Sequence, residues 1–124
     1  MLIGVDAGPL AIKDERLKVG IYRLASNLLR EFGKLDQVNH YRLYSFLPIE
    51  RGLLNSFGTE MENIVLKPSL GYTTIRLPIE LKIKPVDVYL GLAQTLPVSS
   101  SHNIGFIYDL GFLYHPQAYD NPDK

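Results

Sequence analysis

The sequence IGFIYD at residues 104–109 is an apolar run that ends in a tyrosine and a carboxylate. The chain starts in a similar way, because LIGVD at residues 2–6 is a short apolar run closed by Asp6. Such runs are typical of strands that are buried on both faces of a parallel sheet. Ligands of open α/β sheets bind outside the carboxyl ends of the strands, where loops present polar groups above a rigid base. The two runs therefore predict one sheet with a functional edge.

An amphipathic helix is predicted after the first strand. Apolar side chains recur from residue 21 at spacings of three and four, and polar side chains fill the opposite face. We expect a helix over residues 21–35 that begins after Gly20 and ends before a polar loop. Its predicted core stripe consists of Ile21, Leu24, Leu28 and Phe32.

The remaining elements alternate between strand and helix. Strands are predicted over residues 41–47, 64–66, 86–90 and 103–107, and a short helix over residues 49–57. Residues 74–84 alternate apolar and polar side chains around Pro78, which leaves a broken helix and an edge strand both open. This order favours an α/β, Rossmann-like fold with a parallel sheet ordered 3-2-1-4-5 and helices on both faces. The topological switch point then lies between the first and fourth strands.

Size and composition restrict the class of protein. The 124 residues fit one domain, which we take as residues 1–124. Thirteen basic and thirteen acidic residues cancel, and no segment concentrates cations, so we expect no nucleic-acid partner. The absence of cysteine excludes disulfides and thiolate metal sites. No apolar run approaches the roughly 20 residues that cross a bilayer, and the first residues do not resemble a signal peptide, so we expect a cytoplasmic domain.

The connection over residues 8–19 is rich in charge and leads to Gly20 at the amino end of the predicted helix. Backbone N–H groups and the helix dipole make such an end a natural anion site, although a solvated loop is the alternative. Lys18 and Arg23 flank this end. The histidines are scattered and lack a carboxylate at ligand spacing, so we expect no metal site. They are His40, His102 and His115.

Four segments together resemble the GT4 family, the glycosyl transferases of group 1. Residues 2–10 (LIGVDAGPL) are similar to the family's opening strand, which ends D-A-R-P-L. Residues 20–29 (GIYRLASNLL) resemble its G-I-G-R-Y-x-x-N-L-L motif. Residues 85–97 resemble its D-V-x-H-x-x-x-x-x-L-P segment, and residues 107–110 (IYDL) resemble its I-H-D-L. The four matches follow the family's order along the chain.

The resemblance implies the GT-B architecture, in which two Rossmann-like domains face each other across a cleft. Residues 1–124 would form most of the amino-terminal, acceptor-side domain. In the family the other domain binds the nucleotide sugar and supplies two glutamates separated by seven residues. No pair of glutamates in this sequence has that spacing. We therefore expect this domain to be incomplete and inactive alone.

The activity implied by the resemblance is retaining transfer of a sugar, such as a hexose, from a nucleotide sugar to a carbohydrate or lipid-linked acceptor. Such enzymes serve polysaccharide biosynthesis, need no metal or other cofactor, and lie in the cytoplasm, some at the inner face of the membrane. Carried over to this chain, the resemblance puts Gly20 and Arg23 beside the donor phosphates or the acceptor, with Lys18 assisting. It puts Asp109 at the base of the cleft and Tyr108 at the position of an active-site histidine.

Three departures from the family pattern fall on the predicted functional edge. Gly8 replaces an arginine, Tyr22 replaces the second glycine of G-I-G-R, and Tyr108 replaces the histidine. A tyrosine donates hydrogen bonds to sugars, but with a pKa of about 10 it shuttles protons less well than imidazole. A non-catalytic binding or interaction module on the same fold is therefore the alternative. Asp109 has the alternative role of capping a turn, and Arg23 that of an exposed helix residue.

The carboxy-terminal end of the chain raises two further expectations. The family domain continues beyond the fifth strand, so we expect an open sheet edge that pairs with a second copy or lowers solubility. Tyr114, His115 and Tyr119 form either an aromatic acceptor surface or a packed turn.

Overall fold

A computed structural model describes residues 1–93, 96–99, 101–108, 111–114 and 117. Its centre is a five-stranded, all-parallel sheet in the order β3-β2-β1-β4-β5. The strands are β1 (Leu2–Asp6), β2 (His40–Ser45), β3 (Met61–Val65), β4 (Val88–Gly91) and β5 (His102–Gly105). The predicted α/β fold, the strand order and the switch point between β1 and β4 are confirmed.

Helices cover both faces of this sheet. The helices are α1 (Ile21–Leu35), α2 (Arg51–Ser56), α3 (Leu77–Ile83) and α4 (Gly111–Tyr114). One core cluster joins α1 and α2 to one face, and a second joins α3 to the other face. Two 3-10 helices, Gly8–Ala11 and Glu15–Leu17, lie in the long connection from β1 to α1. Within the described ranges, no helix has the length and apolar composition that crossing a membrane requires.

Residues 74–84 form the carboxyl end of a π-helix and all of α3, so the edge-strand reading is wrong. The π-helix spans Tyr72–Arg76 and continues directly into α3. Pro78 lies in the first turn of α3, where a helix tolerates a residue without an N–H group. The alternation in the sequence therefore comes from two rows of residues at a spacing of four: Leu77 and Leu81 are buried, whereas Ile75, Ile79 and Ile83 are exposed.

Four strand bounds and the predicted stripe of α1 need correction. β2 ends at Ser45 rather than residue 47, and β4 begins at Val88 rather than residue 86. β3 begins three residues earlier than predicted, because this outer strand carries polar side chains that hide it from hydropathy. β5 ends at Gly105 rather than residue 107. In α1, Leu24 is 42% exposed while Ala25 and Leu29 are fully buried, so the buried line runs one position later. The small Ala25 lets the helix approach the sheet closely.

The amino edge of the sheet, where the strands begin, is closed by hydrogen bonds. Asp36 accepts bonds from the N–H groups of Val38 and Asn39, each at 3.0 Å, from the Asn39 amide at 2.8 Å, and from the Tyr41 hydroxyl at 2.7 Å. The Tyr41 bond and then the Asn39 bonds hold the pKa of Asp36 well below its usual range. This carboxylate therefore ties the end of α1 to the start of β2.

Gly33 packs α1 against the end of α2 at the same edge. A Cβ atom at position 33 would lie 1.7 Å from the Phe57 carbonyl oxygen, a distance that no side chain tolerates. Backbone contact at Gly33 thus sets how closely the two helices approach.

Candidate functional site

The carboxyl edge of the sheet, where the strands end, carries a buried acid at the switch point. Asp6 ends β1 and is 3% exposed. Its Oδ1 atom accepts a hydrogen bond from the Gly8 N–H at 3.0 Å. Burial raises the pKa of Asp6, and the Gly8 bond offsets only part of that rise. Among the described residues, Gly8 is therefore the one hydrogen-bond donor to this buried carboxylate.

Gly8 packs directly against this carboxylate. A Cβ atom at position 8 would lie 3.2 Å from Asp6 Oδ1 and 3.5 Å from the Phe46 ring. An arginine side chain, as the family pattern has here, would begin in contact with Asp6. In this chain the glycine leaves Asp6 without a basic side chain from that position.

Three buried tyrosines belong to the core cluster on the α3 face of the sheet. The hydroxyl groups of Tyr44, Tyr72 and Tyr89 are buried, and none has a hydrogen-bond partner among the residues that the structure describes. Burial and then the negative charge of Asp6 raise the pKa of Tyr72 and of Tyr89. Gly4 makes room for two rings, because a Cβ there would lie 3.0 Å from Tyr44 and 3.1 Å from Tyr89. The cluster thus contains three neutral phenols.

The sequence analysis missed this tyrosine cluster. Tyr44 and Tyr89 lie within predicted strands, where an aromatic residue is ordinarily core. The strand register could have indicated part of the cluster, because Tyr44 pairs with Asp6 and Tyr89 pairs with Gly4. Only the position of Tyr72 required knowledge of the π-helix.

Tyr108 lies in the chain segment after β5. Its hydroxyl donates a hydrogen bond to the Leu92 carbonyl at 2.5 Å, and its ring stacks on Phe106 with a centroid distance of 6.4 Å. Burial and then Asp6 raise the pKa of Tyr108. The phenol is therefore neutral and its proton is bound to a carbonyl. Asp109, the other predicted catalytic residue, lies outside the described residues, as do His115 and Tyr119.

A pocket of about 360 Å³ lies on the other side of the carboxyl edge, between the β1–α1 connection and residues 48–50. The Lys18 side chain lines it, only 14% exposed, with its Nζ atom 2.5 Å from Glu15 and 3.9 Å from Glu50. The Glu15 bond raises the pKa of Lys18. Its Nζ atom also lies 5.7 Å from the centre of the Tyr22 ring. The lysine is charged, and the two glutamates beside it outweigh its single positive charge.

Gly20 and Arg23 do not line this pocket. Gly20 caps α1 with φ +50° and ψ −110°, a conformation that favours glycine, and a Cβ there would meet nothing within 4 Å. Arg23 is exposed in the first turn of α1. The structure therefore brings Lys18 to a pocket and leaves Arg23 at the open end of the helix.

A hollow of about 550 Å³ at the amino edge is a weaker candidate site. Some of its polar groups already have partners, since His40 Nδ1 lies 2.7 Å from Glu60 and the Met1 amine lies 2.6 Å from Asn39. Across the described ranges, no three metal-ligating side chains come together.

Comparison of this chain with protein-family models, with curated proteins and with solved structures gives no match. The resemblance to GT4 enzymes therefore stays a prediction that depends on the four quoted segments. The fold and the geometry at the carboxyl edge are the findings from which function is argued.

Proposed function

We propose that residues 1–124 bind a sugar at the carboxyl edge of the sheet, as the acceptor-side half of a retaining GT4 glycosyltransferase. The observation that carries the proposal is the Lys18 side chain held between Glu15 and Glu50 in the 360 Å³ pocket. Ligand sites of proteins span about 300–1,000 Å³, so this pocket suits a small ligand.

The chemistry of this pocket favours a neutral, polyhydroxylated ligand. Carboxylates accept hydrogen bonds from sugar hydroxyls, and an ammonium group donates to them. Because the two glutamates outweigh the charge of Lys18, these three side chains together do not attract a free phosphate. The predicted role of Lys18 at the donor phosphates therefore becomes a proposed role at the acceptor.

The donor would be bound by a second domain of GT-B architecture facing this edge. Arg23 is exposed in the first turn of α1, where the guanidinium and the helix dipole would stabilise a diphosphate leaving group. Gly20 would let the phosphates approach the backbone, and Asp109 would lie at the base of the cleft. The proposal includes no metal and no other cofactor.

The proposed setting follows from the proposed acceptor. A carbohydrate or lipid-linked acceptor of polysaccharide biosynthesis would place the enzyme in the cytoplasm, and a lipid-linked one at the inner face of the membrane. The zero formal net charge argues against nucleic acid as a partner.

A non-catalytic sugar-binding module is the second candidate function. It is favoured by Tyr108, whose hydroxyl proton is bound to the Leu92 carbonyl and whose pKa is raised above its usual value. The hydrogen bond fixes the position of this phenol, and at neutral pH the phenol transfers protons poorly.

Calorimetric titration of the chain with a panel of neutral sugars tests binding. We expect Lys18→Met and Glu50→Gln to weaken binding by about tenfold each, the effect of one charge-assisted hydrogen bond. Lys34→Met is the matched control, because Lys34 pairs with Glu31 at 2.8 Å with the same helical spacing, away from the pocket. Equal effects of all three variants, or no binding of any sugar, would contradict the proposal.

Turnover of nucleotide sugars by the complete gene product separates the enzyme from the module. An open reading frame that continues into a second α/β domain with the paired glutamates supports the enzyme. Arg23→Ala and Asp109→Asn should then each reduce turnover by about a hundredfold. Unchanged turnover in both variants would remove these site assignments.

A further inference from the structure

The outward row of α3 and the π-helix before it is apolar, unlike that of the helix on the other face of the sheet. Ile75, Ile79 and Ile83 recur at a spacing of four and are 63%, 49% and 68% exposed. The outward row of α1 is instead polar and consists of Arg23, Asn27, Glu31 and Lys34. Single exposed apolar residues are ordinary, but a continuous row of them indicates a surface that a partner covers.

A groove beside α3 widens this apolar row. It has a volume of about 450 Å³ and is lined by Pro78, Ile79, Lys82, Val98 and Ser99. Val98 belongs to the segment between β4 and β5 and is 89% exposed. The apolar surface therefore extends from the helix to a second chain segment, and Lys82 brings a positive charge to it.

Positive charge accompanies this apolar surface. Residues 67–84 contain four basic residues and one acid, although the whole chain has a formal net charge of zero. The acid, Glu80, is buried and lies 3.1 Å from Arg76 and 3.9 Å from Lys84. Arg76 Nε also donates a hydrogen bond to the Lys67 carbonyl at 3.1 Å, which holds residue 67 beside the helix. The exposed charged residues of this segment are therefore all basic, namely Lys67, Lys82 and Lys84.

We propose that the α3 face, defined by Ile75, Ile79, Ile83, Val98 and the lysines of residues 67–84, binds the surface of an anionic lipid bilayer. Apolar side chains of a helix that lies flat on a membrane enter the boundary between headgroups and acyl chains. The lysines extend their charged ends to the anionic headgroups. The buried Leu77 and Leu81 keep the helix packed on the sheet, so the contact needs no unfolding of the domain.

A second copy of the chain is a poorer occupant of the α3 face. A two-fold dimer brings the same patch of both copies together, so the lysines of one copy would face those of the other. An anionic lipid surface offers the opposite charge and needs no complementary groove for the convex helix. The membrane contact does not depend on the sugar function. If both hold, the contact keeps the domain near a lipid-linked acceptor.

Cosedimentation of the chain with lipid vesicles tests the contact. We expect binding to vesicles of equal parts phosphatidylcholine and phosphatidylglycerol, little binding to phosphatidylcholine alone, and weaker binding as salt is added. The paired variant Ile79→Gln with Ile83→Gln should weaken binding by at least about tenfold, because two side chains no longer enter the apolar layer. Leu24→Gln with Leu35→Gln is the matched control. These leucines lie on α1, on the other face of the sheet, and are 42% and 82% exposed.

A lysine variant tests the contribution of charge separately. Lys82→Gln should weaken binding to the anionic vesicles by about fivefold, whereas Lys34→Gln in α1 should change it little. Circular dichroism and thermal unfolding should show the same fold in every variant, because all the altered side chains are exposed.

The possible outcomes separate the membrane contact from other partners and from the sugar function. No binding to the anionic vesicles, equal binding to neutral and anionic vesicles, or equal losses in the α3 and α1 pairs would overturn the contact. A dimer that the α3 pair dissociates, without vesicle binding, would assign the face to a second copy instead. Vesicle binding that the α3 pair abolishes, in a chain that binds no sugar, would support the contact and overturn the sugar function. Sugar binding without vesicle binding would do the reverse.

Discussion

Asp36 and Asp6 lie at opposite edges of the same sheet and have opposite environments. Asp36, at the amino edge, accepts four hydrogen bonds that lower its pKa. Asp6, at the carboxyl edge, accepts one from the described part of the chain, and burial raises its pKa. The first carboxylate stabilises the fold in its charged form, whereas the second weakens the fold in that form.

The two acids differ in whether the surrounding residues stabilise the charged carboxylate. A residue kept for stability is satisfied by its neighbours, whereas functional groups are commonly held in environments that are unfavourable until a ligand arrives. Asp6 has an environment of the unfavourable kind, because burial disfavours its charge and an asparagine would accept the Gly8 bond without that charge.

Gly33→Ala should cause the largest loss of stability, because the amino edge is rigid. The new Cβ would collide with the Phe57 carbonyl oxygen at 1.7 Å and force α1 and α2 apart. We expect the free energy of unfolding in urea to fall by about 3 kcal/mol or more. Gly52→Ala in α2 is the matched control, since its Cβ would enter open space and should stabilise by about 0.5–1 kcal/mol. Similar effects in both variants would show that the edge is not rigid.

Asp36→Asn should lower Tm by several degrees at pH 7. An amide nitrogen cannot accept the bonds that the Tyr41 hydroxyl and the Asn39 amide donate. The folded pKa of Asp36 lies below its ordinary value of 3.8, so this stabilisation is present above pH 3.8 and is lost as the pH falls through the folded pKa. Thermal unfolding at pH 7 and pH 2 should therefore show a gap between variant and unaltered chain that narrows in acid. A constant gap would count against the charge of Asp36 as its source.

Asp6→Asn should raise Tm by a few degrees at pH 7. The folded pKa of Asp6 lies above 3.8, so the unaltered chain loses stability as the pH rises from 3.8 through the folded pKa. The asparagine variant should lack this loss, and the two melting curves should converge at pH 3. A lower Tm of the Asp6→Asn variant at pH 7 would show that the charged Asp6, like the charged Asp36, stabilises the fold.

Self-association through β5 is the smallest expected effect. Every residue of β5 is exposed, and the strand carries no lysine, arginine or acid that would discourage pairing. We expect a weak dimer in sedimentation velocity, which Ile104→Lys in β5 should dissociate. Ile83→Lys, at an exposed position of α3, should leave the dimer intact. A monomer at millimolar concentration would contradict this prediction.

The strand order could be predicted from sequence because each strand is a short apolar run and each parallel connection needs a crossover. The edge that holds the site was predictable for the same reason, and Asp6, Lys18 and Tyr108 lie on it. The tyrosine cluster was not, because burial of an aromatic ring does not reveal whether its hydroxyl is satisfied. The prediction placed the core-facing residues of α1 one position too early, because a small residue such as Ala25 contributes little to a hydropathy pattern.

The π-helix that precedes α3 sets the direction in which Tyr72 points. Its wide turn is shown by the Arg76 N–H, which donates to the Gly71 carbonyl five residues earlier at 3.1 Å. Such a turn holds one residue more than an α-turn. Deleting one codon between these residues would restore ordinary pitch and rotate Tyr72 by about 100° around the helix axis relative to α3. A one-residue change in length, with no new chemical group, is therefore enough to move the Tyr72 hydroxyl away from its present neighbours.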